Sequence, residues 1–254
     1  MKKKSIVLSI ACALTFFQDV YAQSNTFSAR LDIGYGFPSG AQYFTNVDNA
    51  TQTIVPFSLG AGFRVAAGGN YMFSDHFGGG LDLSFLTGSP AVNTVSPPSS
   101  ESKIITSVGS LFAMTPNLIF SLNNDVYNPY MRIGFVVGIP SFTVSTTESG
   151  PGAQNGTNID LYSGNLALGL YSALGIQFRM TDQMMLNLEL FDRDLTYSPQ
   201  FYTNVQAFDG NSKNSQQILV KSTANRFYGA PTLTQVAPFG CIGFNGGVTW
   251  KFES

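Results

Sequence analysis

The sequence predicts an all-β protein, a single antiparallel up-and-down transmembrane β-barrel of eight strands, with ten strands as the alternative. Three observations carry this prediction. Apolar residues recur with a period of two in one segment after another, the signature of strands with one apolar face. Charged residues make up only 11% of the 254 positions, against about 25% in soluble domains. The connections between segments alternate short and long. Further numbers exclude other classes. Aromatics at 13% and so few charges rule out a disordered chain. No run of 18 or more apolar residues follows the N-terminus, which excludes a helical membrane bundle. A formal charge of −2 offers no footprint for nucleic acid.

The first 22 residues read as a signal peptide. Lys2, Lys3 and Lys4 supply the positive start, Ser5 to Phe17 the apolar stretch, and Val20-Tyr21-Ala22 a small-residue cleavage site. The alternative, an uncleaved anchor, has an apolar stretch short for a span. Cleavage after Ala22 leaves ten basic and fourteen acidic side chains, a net charge of −4. It also removes Cys12, so Cys241 stands alone and no intramolecular disulfide forms. The barrel domain is then 23–254.

The strands follow in order. Phe27 to Phe37 places Phe27, Ala29, Leu31, Ile33, Tyr35 and Phe37 on one face, and Ser28, Arg30, Asp32, Gly34 and Gly36 on the other. About eleven residues match a tilted membrane crossing. The segment Phe57 to Phe73 sets Phe57, Leu59, Ala61, Phe63 and Val65 against Ser58, Gly60, Gly62, Arg64 and Ala66. In the third, Leu81, Leu83 and Phe85 alternate with Gly80, Asp82 and Ser84. The fourth, Ser107 to Leu122, contains Pro116, which donates no ladder hydrogen bond, and a bulge is expected there. The fifth alternates Met131, Ile133, Phe135, Val137 and Ile139 with Arg132, Gly134, Val136 and Gly138. The sixth runs from Leu166 to Arg179, and the seventh sets Leu186, Leu188 and Leu190 against Asn187 and Glu189. The last alternates Ile242, Phe244, Val248, Trp250 and Phe252 with Gly243, Asn245, Gly247, Thr249 and Lys251.

A soluble sandwich alternates as well. The membrane is preferred because the polar faces are mostly Gly, Ala, Ser and Asn with single charges, as a narrow lumen requires. Aromatics, among them Tyr71, Phe77, Tyr130, Phe178, Trp250 and Phe252, also gather at strand ends, where an interface girdle belongs. Short turns at 74–76, 123–128 and 181–183 alternate with long segments near 38–56, 88–106, 143–160 and 195–238, the pattern of periplasmic turns and outer loops. Within 198–228, Asp209-Gly210-Asn211 is a hairpin signal. Its flanks are too polar for lipid, so the hairpin is placed above the membrane and the count stays at eight.

With these residues in view, the chain resembles the small OmpA/OmpX-like outer-membrane β-barrels, and more narrowly the outer-membrane β-barrel domain proteins common in Bacteroidetes. The resemblance rests on Ala29-Arg30-Leu31-Asp32-Ile33-Gly34-Tyr35-Gly36-Phe37-Pro38, on the turn Phe73-Ser74-Asp75-His76-Phe77, and on the closing strand. There Asn245, Gly247, Trp250 and Phe252 match the family's assembly signal, with Glu253 and Ser254 following the usual last aromatic. The resemblance implies an outer-membrane location, contact with lipid and lipopolysaccharide, delivery by the barrel-assembly machinery, and a monomer.

The residues offer little for catalysis. The only histidine, His76, falls in a short periplasmic turn, away from the outer leaflet where barrel hydrolases place theirs. One His and one mature Cys build no metal site, and no cofactor is expected. Cys241 reads as a small buried filler. The inward charges Arg30, Asp32, Arg64, Asp82, Arg132, Arg179, Glu189 and Lys251 read as a salt-bridge network that closes the lumen, or as the lining of a narrow ion path. In the last outer segment Tyr197, Phe201, Tyr202, Phe208, Phe227 and Tyr228 stand near Lys213, Lys221 and Arg226. They suit binding to an extracellular protein, a glycan or lipopolysaccharide head groups, or else packing within the loop. The expected function is a structural or adhesive barrel without turnover. A small-solute pore is the alternative, and an outer-membrane enzyme comes third.

Overall fold

The computed structural model describes residues 26–39, 58–95, 102–124, 126–149, 156–208, 211–219 and 237–252. The expected signal peptide, 1–22, lies outside them. The strands are β1 (Thr26–Pro38), β2 (Gly62–Met72), β3 (Phe77–Gly88), β4 (Ala91–Val95), β5 (Ser102–Ser121), β6 (Tyr127–Ser149), β7 (Gly156–Ser163), β8 (Ala167–Arg179), β9 (Met184–Tyr197), β10 (Phe201–Phe208), β11 (Asn211–Leu219), β12 (Ala237–Pro238) and β13 (Cys241–Phe252). No helix among the described residues is long and apolar enough to cross a membrane.

Eight of these strands close a barrel in the order β1-β2-β3-β5-β6-β8-β9-β13 and back to β1, every pair antiparallel. Closure joins the two ends of the domain. β1 and β13 pair without a break from Phe27↔Phe252 to Pro38↔Cys241, and the rings of Phe27 and Phe252 lie 5.6 Å apart. The alternation read from the sequence decides which way each side chain points. Leu31, Ile33, Phe85, Ile133, Leu188 and Phe244 are exposed on the outer wall, while Arg30, Asp32, Ser84, Arg132, Glu189 and Asn245 are buried inside. A slip of one residue in any strand would exchange the two sets, so the pattern holds the register.

The remaining strands build an extension beyond the long-loop end. β5 and β6 are 20 and 23 residues long, about twice the 9–11 that a crossing needs. The lower part of β6 pairs with β8 up to Gly138↔Ala167, and its upper part pairs with β7 from Phe142↔Tyr162. Between β7 and β8 the chain reverses through Gly164 and Asn165, both at positive φ (83° and 63°). Gly and Asn are the residues that tolerate this conformation. β10 pairs with β7, and β11 pairs with β10. The β10–β11 pair thus adds to the extension and not to the barrel, and the count is eight.

Four local expectations are corrected. β2 starts at Gly62, so Leu59 and Ala61 do not face lipid. They lie in a buried turn over the lumen, with the Leu59 amide donating to the Pro238 carbonyl at 2.9 Å. Pro116 produces no bulge. The β5–β6 register is the same on both sides of it, Met114↔Val137 and Asn117↔Gly134, with only the two intervening pairs missing. Tyr130 is not a girdle residue but points into the lumen. The seventh predicted strand runs on past Leu190 to Tyr197. It thereby brings a further arginine, Arg193, to the buried face and puts Asp192 and Asp194 on the exposed one.

Candidate functional site

The lumen is filled in layers, each set by inward positions at one height of the barrel. At the short-turn end is a polar vestibule with a cavity of about 100 Å³, lined in part by Ser28, Asn70, Asn128 and Lys251. A chain of hydrogen bonds crosses its inner side. Ser121 Oγ donates to Asn128 Oδ1 (2.8 Å), Asn128 Nδ2 to Gln177 Oε1 (3.4 Å), Gln177 Nε2 to Thr249 Oγ1 (3.4 Å), Thr249 Oγ1 to Asn187 Oδ1 (2.7 Å), and Asn187 Nδ2 to Asp32 Oδ1 (2.6 Å).

That chain ends on an ion cluster. Arg30 on β1 meets Asp32 at 2.8 Å, Glu189 at 3.0 Å and Asp82 at 3.3 Å. Arg132 on β6 pairs with Asp82 and, at 3.1 Å, with Glu189. Neutral donors complete the carboxylates. Glu189 Oε2 accepts from Tyr130 Oη at 3.0 Å as well as from both arginines, and Oε1 accepts from Tyr171 Oη (2.6 Å) and Asn245 Nδ2 (2.9 Å). Asn117 donates to Asp82 at 3.2 Å. Every barrel strand except β2 contributes a group to this cluster. Ions taken from water cost several kcal/mol each unless they are paired and hydrogen-bonded. The dense donor set around Glu189 meets that condition.

Next outward lie Arg64 and Arg193. Arg64 from β2 sits over the rings of Phe191 (5.4 Å) and Tyr171 (5.9 Å), and Arg193 Nη2 donates to Cys241 Sγ at 3.3 Å. Above them an apolar plug closes the lumen. Leu86, Leu111, Leu195 and Tyr197 from the strands pack with Leu59 and Phe239, which fold in from the segments above. The Phe239 amide donates to the Leu195 carbonyl at 2.8 Å, which ties the plug to β9.

The structure sorts the residues singled out in the sequence. It brings Arg30, Asp32, Asp82, Arg132 and Glu189 into one cluster and sets Arg64 in the layer above. Lys251 lies at the vestibule mouth. Arg179 is outside the lumen. Its side chain is 45% exposed and pairs with Asp182 of the adjoining turn at 2.6 Å, because β8 ends at this residue and the wall no longer encloses it. Tyr197 is no loop residue. It is fully buried, edge-on to Phe142 and Phe239, and its hydroxyl donates to the Gly164 carbonyl. Phe201 is half-buried at the start of β10. Tyr202 and Phe208 belong to the β10 backbone ladder, while Phe227 and Tyr228 lie outside the described residues. Cys241 is buried, and His76 is exposed in the first turn with Nδ1 2.9 Å from the Ser121 carbonyl. In the closing strand Asn245 points into the cluster, and Trp250 and Phe252 stand on the outer wall. Sequence reasoning missed Tyr130, Asn117 and Arg193 as lumen groups. Counting inward positions from Glu189 would have found Arg193, and from Arg132 would have found Tyr130. Among the described residues, no group of three His, Cys, Asp or Glu side chains is placed to hold a metal.

The closed eight-stranded wall, apolar outside and ionic within, defines a transmembrane β-barrel. Residues 8–220 match the model of the outer membrane protein beta-barrel domain, and the chain belongs to that family, whose place is the outer membrane. No individually curated protein matches the sequence. Among solved structures, a major outer membrane protein from Thermus thermophilus is similar in fold. It shares 12% identity, with 91% of this chain and 100% of that one covered, at a TM-score of 0.52. The outer membrane protein OprG from Pseudomonas aeruginosa shares 13% over 92% and 99%, at 0.46. Ail, the attachment invasion locus protein of Yersinia pestis, shares 12% over 90% and 98%, at 0.34.

Proposed function

We propose that the protein is a closed, non-catalytic outer-membrane barrel whose work is done by its extracellular β-extension, which binds a protein, a glycan or lipopolysaccharide head groups. The observation that carries this reading is the division of the structure. The lumen is filled by an ion cluster and an apolar plug, while β5 and β6 continue well past the barrel and gather β4, β7, β10 and β11 around them. The ion cluster acts as the internal brace of this platform. Asn245, Gly247, Trp250 and Phe252 serve as the signal for the assembly machinery, the leader is removed after Ala22, and the barrel is a monomer.

Deleting 198–228 is the direct test. The barrel should still fold and migrate faster unheated than heated on a gel, and its binding to cells and matrix should be lost. Unchanged binding overturns the reading. A second reading, a gated path for small solutes or ions, draws on the polar vestibule, which takes water part of the way in. It requires discrete conductance steps in planar bilayers, and a wild-type barrel that gives none removes it.

A further inference from the structure

Among the described residues, the lumen carries four buried arginines, Arg30, Arg64, Arg132 and Arg193, against three buried carboxylates, Asp32, Asp82 and Glu189. The carboxylates are engaged by Arg30 and Arg132. Arg64 and Arg193 make no ion pair among the described residues, although each is only 2% exposed. Arg64 Nη1 and Arg193 Nε are buried with no hydrogen-bond partner. What these two cations do have is weak, since Arg64 lies over two aromatic faces and Arg193 has a sulfur acceptor. Tyr171 links the pair, because its ring carries Arg64 and its β8 position stands opposite Arg193.

We infer that the barrel binds one small monovalent anion of the halide class between Arg64 and Arg193. The chemistry selects the ligand. One negative charge brings four arginines and three carboxylates to neutrality. Water would fill the free donors but leave the charge unbalanced. The carboxylate cluster lies on one side and the apolar plug on the other, so the ligand must be compact and must shed most of its water. Chloride or bromide meets these requirements, whereas phosphate or sulfate brings too much charge and bulk. The anion is a resident of the lumen wall and not a permeating ion, so this inference stands apart from the surface-binding reading.

The experiment uses the full barrel refolded in detergent. Thermal unfolding is followed in sodium chloride, sodium bromide and sodium gluconate at equal ionic strength, with crystals soaked in bromide. Binding to the native state alone should raise Tm in a saturable way with halide concentration. Chloride and bromide should act alike, and an anomalous bromide peak should fall between Arg64 and Arg193. Arg193→Met should abolish the halide-dependent part of Tm, and Cys241→Ser should retain it. Equal Tm in chloride and gluconate, or a soaked crystal with no peak at the two arginines, overturns the inference. Loss of the halide effect in Cys241→Ser overturns it as well, because the thiol would then be the required partner. The bromide peak is read on the wild-type protein and decides the matter even if Arg193→Met fails to fold.

Discussion

Arg30 on β1 and Glu189 on β9 meet across the lumen, Nη1 to Oε2 at 3.0 Å, with a separation of 159 in the chain. Their strands are not neighbours in the wall, since β13 separates them. The pair therefore bridges over β13 on the lumen side and does not follow the ladder. Removing Glu189 leaves Arg30 and Arg132 competing for two aspartates and leaves the Tyr130 and Tyr171 hydroxyls without their acceptor.

Glu189→Ala should accordingly destabilise the barrel by about 3–5 kcal/mol, the usual effect of stranding buried charge. A urea titration followed through Trp250, the only tryptophan, reads this as a lower midpoint. Arg179→Ala serves as the control. Its partner Asp182 is 85% exposed, so the loss should stay below about 1 kcal/mol.

Gly175 and Tyr130 face one another across the β6–β8 ladder. A Cβ at position 175 would collide with the hydroxyl end of the Tyr130 ring, at Cζ, Oη and Cε1. Gly175→Ala should cost about 1–3 kcal/mol from overpacking. In the background of Tyr130→Ala most of that cost should vanish. A double-mutant cycle measures the coupling, and simple additivity would show that the ring does not depend on the missing side chain.

Leu188 lies on the outer wall one position from Glu189 and is half exposed. Leu188→Arg should weaken folding into lipid vesicles by about 2–4 kcal/mol, as cations do near the bilayer midplane. Folding must be measured in bilayers, because detergent can adapt to the new charge. A loss below about 0.5 kcal/mol, the range of ordinary surface changes, would mean that this face does not meet lipid.

Cys241 has no exposed surface and holds its sulfur against Arg193. A maleimide should label it slowly in the folded barrel and completely after boiling in detergent. Rapid labelling of the folded form would show that the outer mouth opens, in conflict with the apolar plug.

Much of the wall was legible in the sequence because a strand with lipid on one side and a packed lumen on the other has little freedom. Leu31, Ile33, Leu188 and Phe244 stand where the period of two puts them. Legibility failed where the period is not the deciding force. Leu59 and Phe239 are apolar but belong to turns folded over the mouth, and local alternation does not separate a plug from a wall. Tyr130 is a different case, since the period counted from Arg132 turns it inward, where its hydroxyl donates to Glu189, and only its place near a strand end suggests the girdle. Arg179 keeps the inward parity of β8 but sits where the wall ends. The cluster members were visible one at a time. Their partners were not, since Arg30, Asp82, Arg132 and Glu189 converge only when the barrel closes.

The extension grows from β5 and β6 without a joint, so its pairing inherits the register of the barrel below. Lengthening or shortening β5 or β6 by one residue turns every side chain above that point to the opposite side, whereas a change of two residues preserves the display. The exposed positions of the extension are therefore free to vary in amino-acid identity, whereas its length varies only by even steps, except at the hairpin tips. Comparison of natural variants should show gaps of two or four within these strands and gaps of any size at the tips.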